Sequence, residues 1–190
     1  MVAPYYSDEQ VTIYLGDCLE VLADYEDKSI DYALCEAPWF VGETSERWQE
    51  WVLPRFGQIM RVSNNIVASC SHRRLIDYHE VCAWDHLVSL TVPDGRNGLE
   101  WEPYAVWGGK PRTTMLDIPS VKTSEGWHPS AKSLVWAQRI LSLFPESEVV
   151  LDVFMGSGPF VRVAKKMGKK AIGIDTEEAY CEGVARCLSN

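Results

Sequence analysis

VVLDVFMGSGPFVRVAKKMGKKAIGID, residues 149–175, decides the fold. An apolar strand run, VVLDVF, meets the loop MGSG. A helical stretch, PFVRVAKKMG, follows, with Pro159 suited to a first turn, where its missing N–H would be unsatisfied anyway. A second strand, AIGID, and a helix over Glu177–Leu188 complete a βαβα unit. Such units need right-handed crossovers with helices on both sheet faces, so the expected class is α/β, a doubly wound, mostly parallel sheet. Working outward, Val11–Leu15, Ile30–Cys35 and Asn65–Cys70 read as strands. Helical stretches are expected at CLEVLADY, at Glu46–Met60 with an interruption near Pro54, at Arg73–Trp84 and at Ala131–Phe144. HLVSLTV and LEWEPYAVWG flank the turn-rich PDGRNG and predict a hairpin that supplies an antiparallel edge. No repeat or linker is visible, which makes residues 1–190 a single domain.

Composition narrows the class. The 190 residues are 46% hydrophobic and 24% charged, ordinary globular usage that excludes a disordered, collagen-like or coiled-coil chain. No apolar run approaches the roughly 20 residues of a membrane span, and MVAPYYSDEQ has no basic leader, so a cytoplasmic protein with no membrane role is expected. Six cysteines without a Cys-x-x-Cys pair read as reduced, buried thiols. His79, Cys82 and His86 would share a helix face but lack a fourth ligand; a buried face explains them and no metal is expected. The net charge of −9 is concentrated, since residues 1–50 carry twelve acids and two bases. A nucleic acid would have to meet the remaining surface, where Arg47, Arg55, Arg61, Arg73, Arg74, Arg96, Lys110 and Arg112 lie. Lys165, Lys166, Lys169 and Lys170 lie at a predicted helix end, where cations complement the macrodipole without any ligand.

The loop Asp152–Pro159 sits at the carboxyl end of a strand, where open α/β sheets bind ligands. Gly156 and Gly158 permit close backbone approach, and Asp175 ends the next strand, where an acid can accept ribose hydroxyls. The loop lacks both the Gly-Lys-Ser/Thr of a P-loop and the third glycine of a dinucleotide fingerprint, so a nucleoside cofactor without phosphates fits best.

YYSDEQVTIYLGDCLEVL, DYALCEAPWF, EPYAVWG, HPSAKSL and the long carboxyl-terminal segment beginning VVLDVFMGSG together resemble a β-class, permuted amino-group DNA methyltransferase of phage or restriction-modification type. The catalytic motif precedes the cofactor motif, as in that class, and the resemblance covers nearly the whole chain. It implies S-adenosylmethionine as cofactor. Asp152 and the loop Phe154, Gly156, Ser157 and Gly158 would surround the methionine moiety, with Asp175 on the ribose. Asp17, followed by Cys18, would take the adenine amino group, and His128, Lys132 and Ser133 would match the segment that meets the methionine carboxylate.

The catalytic motif of that family is Asp/Asn/Ser-Pro-Pro-aromatic, and Glu36-Ala37-Pro38-Trp39 stands in its place. An exocyclic amine is a poor nucleophile because its lone pair is delocalised into the ring. A side-chain oxygen at position 36 and the carbonyl of Ala37 would accept its hydrogens where positive charge develops, while Trp39 offers a face to the displaced base. Glu36 is one methylene longer than aspartate, and Ala37 replaces a proline that would stiffen the turn. The non-catalytic partner subunit of mRNA adenosine methyltransferases is similar in carrying Glu where the active subunit carries Asp; Trp39 has counterparts in active relatives. The leading expectation is methyl transfer to an exocyclic amine of a DNA base, adenine N6 first. The alternative is an inactive methyltransferase-like binding protein, and methylation of RNA or a small molecule is a third. No inserted recognition domain has room near PDGRNG, so specificity would come from Arg96, Asn97 and residues 41–48, from a homodimer or from a heteromeric partner.

Overall fold

The computed structural model describes residues 2–37, 45–69, 83–94, 98–119, 128 and 131–189. The expected βαβα unit is there: strand β8 (Val149–Asp152), helix α4 (Pro159–Lys166), strand β9 (Lys170–Asp175) and helix α5 (Glu178–Ser189). Before it run β1 (Tyr6–Ser7), β2 (Val11–Leu15), α1 (Cys18–Leu22), β3 (Ile30–Cys35), α2 (Ser45–Val62) and β4 (Ser63–Ser69). β5 (His86–Asp94), β6 (Gly98–Trp107), β7 (Met115–Asp117) and α3 (Leu134–Leu141) complete the order. One sheet runs β1-β2-β9-β8-β3-β4-β6-β5-β7, with β2, β9, β8, β3 and β4 all parallel.

Both faces of that sheet are buried, which is why its strands read as continuous apolar runs rather than alternating ones. Tyr32 and Leu34 of β3 and Val150 of β8 face α3, α4 and α5, packing with Ile140, Phe160 and Val184. Ala33 and Cys35 of β3 and Leu151 of β8 face the other way, toward Leu22 of α1 and Phe56 and Ile59 of α2. Tyr32 also donates its hydroxyl to the Ile140 carbonyl at 3.1 Å, so burying this phenol leaves no orphaned donor.

Several details differ from the sequence expectation. The β5–β6 hairpin is antiparallel as predicted, but β7 lies beyond it, parallel to β5. Only the middle residue of β7 is buried, and a three-residue strand with one inward side chain carries too little pattern to read. α2 runs through Pro54 without a break, its apolar face held by Val52, Phe56 and Ile59. Packing there outweighs the lost backbone bond. Cys18, Cys35 and Cys181 are buried free thiols, whereas Cys187 is exposed, since it lies on the outer side of α5. Lys169 is not a surface cation at a helix end: it is buried and donates to the Pro145 carbonyl at 2.7 Å, while Lys165 pairs with Asp8 at 2.7 Å. The Arg73–Trp84 helix, except its last two residues, lies outside the described residues, as do Cys70, Arg96, Asn97 and the His79 and Cys82 positions of the weighed metal face. Among the described residues, no helix is long and apolar enough to cross a membrane.

Candidate active site

Four neighbouring parallel strands end on one edge of the sheet, and each delivers an acid there. Asp17 follows β2, Asp175 ends β9, Asp152 ends β8 and Glu36 follows β3. Register makes them neighbours, since Leu15 pairs with Asp175, Asp152 with Gly173, and Leu34 with Asp152. The glycine loop and Glu36-Ala37, distant in sequence, therefore meet across two adjacent strands. They frame a cavity of about 780 Å³, within the size range of small-molecule sites.

The wall formed by the glycine loop is built from backbone. Gly156 and Gly158 have φ of 51° and 67°, the left-handed region that side chains rarely adopt, and Gly158 caps α4. That turn aims the Gly156 N–H at Asp175 Oδ2, 2.7 Å away, while the Glu177 N–H donates to Asp175 Oδ1 at 3.0 Å. Burial nevertheless raises the Asp175 pKa above the ordinary carboxylate value. His128 lies against the loop: a Cβ on Gly156 would stand 2.7 Å from its Nε2. The imidazole ring packs on Tyr180 with centroids 4.6 Å apart. Ser157 lines the same hollow.

Asp152 is fully enclosed, and burial first, then the nearby Glu36 carboxylate, pushes its pKa up to about 8. The Phe154 N–H donates to its Oδ1 at 3.4 Å. Phe154 stacks on Trp51, centroids 5.5 Å apart at 27°. Arg55, one turn along α2, lies 3.9 Å above the Trp51 ring and pairs with Asp17 Oδ2. Asp17 Oδ1 caps α1 by accepting the Leu19 N–H at 2.9 Å. Cys18 also lines the hollow, its thiol pushed up to about 12 by burial.

On the opposite wall stand Glu36 and Ala37. Lys132 Nζ lies 2.8 Å from Glu36 Oε1 and 3.8 Å from Glu102 Oε2. Ser133, expected at the cofactor, instead caps α3 by accepting the Trp136 N–H at 3.1 Å and does not line the cavity. Gly158 likewise serves the turn rather than the wall. Pro38 and Trp39 lie outside the described residues. The contributions of Trp51, Arg55, Glu102 and Tyr180 were not read from the sequence. Trp51 and Arg55 fall on one helix face at i, i+4, a signal for a pair but not for a site.

The DNA methylase family matches residues 97–186. The putative methylase YubD of Escherichia coli (strain K12) is 26% identical over 87% of this chain and 84% of its own. The chain is similar to amino-group DNA methyltransferases. Type II methyltransferase M.BglI of Bacillus subtilis is 31% identical over 55% of this chain and 30% of its own length. Among solved structures, the cytosine-N4-specific PvuII DNA methyltransferase superposes with a TM-score of 0.79 at 15% identity, covering 97% of this chain and 88% of that one. The M1.HpyAVI–SAM complex does so with 0.68 at 24% identity, covering 95% and 100%. S-adenosylmethionine is the cofactor of these methyltransferases, and the hollow suits it. Even with Asp152 protonated near neutrality, the acids Asp17, Glu36, Asp175 and Glu177 outnumber Arg55 and Lys132, an electrostatic match for a ligand whose sulfonium and ammonium outweigh its one carboxylate.

Proposed function

We propose that the chain transfers the methyl group of S-adenosylmethionine to an exocyclic amine of a DNA base, adenine N6 first. The observation that carries this reading is the adjacency of the Glu36 and Asp152 strand ends over one open hollow. Bound S-adenosylmethionine supplies an electrophilic methyl group. Asp175, held by two backbone amides, accepts from the ribose hydroxyls, and Asp17 accepts from the adenine amine of the cofactor. The loop from Phe154 to Ser157, its turn set by Gly158, encloses the methionine end beside Asp152. Glu36 and the Ala37 carbonyl accept the two hydrogens of the target amine, which localises its lone pair on nitrogen. Trp39 is assigned the stacking role from its side-chain type. Adenine is preferred because an acid at 36 with a tryptophan at 39 is similar to the adenosine methyltransferases; the same acceptors would serve cytosine N4.

Transfer of label from S-adenosylmethionine to unmodified DNA, followed by digestion to nucleosides, tests the reading. Labelled N6-methyladenine is expected, labelled N4-methylcytosine would move the substrate, and label in neither would overturn catalysis. A second reading, an inactive partner subunit that keeps the pocket, is favoured by the Glu36-Ala37 departure. Activity that emerges only when Asp-Pro is restored at positions 36 and 37 would establish it.

A further inference from the structure

Glu36 Oε1 is buried and accepts no aligned hydrogen bond. Its sole close cation among the described residues is Lys132, which reaches it from the segment before α3. That lysine is itself placed by two further elements. Glu102 Oε2 of β6 lies 3.8 Å from the ammonium, and the ammonium lies over the Trp136 ring, 5.6 Å from Nζ to centroid. Trp136 is in turn locked, because its Nε1 donates to the buried Tyr104 hydroxyl at 3.3 Å. Glutamate has one more rotatable bond than the aspartate usual at this motif, so its carboxylate can swing where an aspartate would be set by its backbone. A lysine held by Glu102 and by the Trp136 ring restricts that freedom.

We propose that Lys132, steered by Glu102 and the Trp136 ring, is the positioning residue of the Glu36 carboxylate, and that its ammonium stays on Glu36 rather than moving to the carboxylate of the cofactor. The inference rests on the methyltransferase reading and refines its catalytic wall. In this arrangement the Glu36-for-aspartate change is matched to Lys132. Shortening the acid withdraws it from the ammonium, so E36D lowers turnover instead of restoring it.

The test measures S-adenosylmethionine affinity by calorimetry without DNA, and single-turnover methyl transfer at saturating cofactor, for K132M, K132R, E102Q, E36D and E36D/K132M. Since a misplacement of about 1 Å can cost about a hundredfold, K132M should lose about tenfold or more in turnover while its cofactor dissociation constant moves less than about threefold. K132R should recover part of the loss, which also separates positioning from misfolding, and E102Q should show a smaller fall of the same kind. In the E36D background K132M should cost less than about threefold, because both changes act through one contact. Cofactor affinity falling about tenfold in K132M with turnover at saturation retained would overturn the proposal. Wild-type protein that binds S-adenosylmethionine but methylates no DNA would defeat the enzymatic reading alone. The lysine is then judged by a cofactor-bound structure: Nζ within about 4 Å of Glu36 upholds the assignment, and Nζ on the cofactor carboxylate overturns it.

Discussion

The two walls of the cavity hold their acids by different means. Asp175 is fixed by two backbone amides, from Gly156 and Glu177, both within two residues of a strand or loop that the same βαβα unit builds. Among the described residues, Glu36 is held by one flexible side chain, Lys132, whose own anchors come from β6 and α3. A backbone-built wall is set once the local fold forms. A side-chain-built wall depends on three segments arriving together, and it is open to tuning by single substitutions.

The comparison breaks most visibly at Glu36 itself. E36A removes an acceptor used only as charge develops, so turnover should fall about 100- to 1000-fold with cofactor affinity little changed; parallel losses in both quantities would show that Glu36 belongs to cofactor binding. On the opposite wall, D175A removes charge-assisted hydrogen bonds. It should weaken S-adenosylmethionine about 10- to 100-fold while turnover at saturating cofactor survives, and an unchanged calorimetric dissociation constant would take the ribose role away from Asp175.

The rigidity of the cofactor wall is tested at Gly158. With φ of 67° and a Cβ position 2.7 Å from a Val184 methyl, G158A carries both backbone strain and a clash. It should lower stability by about 1–3 kcal/mol in denaturant titration; wild-type stability would mean that the turn rearranges freely.

The smallest effect sharpens the boundary between the walls, at Asp152. Its pKa of about 8 means that the free pocket carries a proton below that pH, and a cationic ligand favours the ionised form. Cofactor affinity should therefore rise with pH and level off above about 8, with proton release on binding near neutrality. Without ligand the sign reverses for stability. The folded state holds the proton more tightly than the unfolded chain, so stability falls as pH climbs from the ordinary carboxylate range toward about 8. D152N should flatten both profiles, and profiles identical to wild type would assign the titration elsewhere.

Much of this molecule was readable in one dimension because its information is local. Strand-loop-helix periodicity, the Gly-x-Gly turn and an acid at the next strand end sit within residues 149–175, and the structure places them as read. Glu36 and Ala37 fall where the motif order put them. The β7 strand was invisible because three residues carry no period. A family resemblance fixes a segment and not the direction of each side chain, so the Ser133 hydroxyl caps a helix rather than facing the hollow.

By itself the chain determined which residues form the strands, where the glycine turn lies and that an acid follows the third strand, since backbone preferences and apolar period act over a few residues. Only the tertiary structure decided which partner each side chain takes. Lys132 meets Glu36 and Glu102, and Arg55 meets Asp17 over the Trp51 ring, because strand order brings distant segments to one edge of the sheet. Ion contacts depend on ångström distances that sequence spacing does not encode.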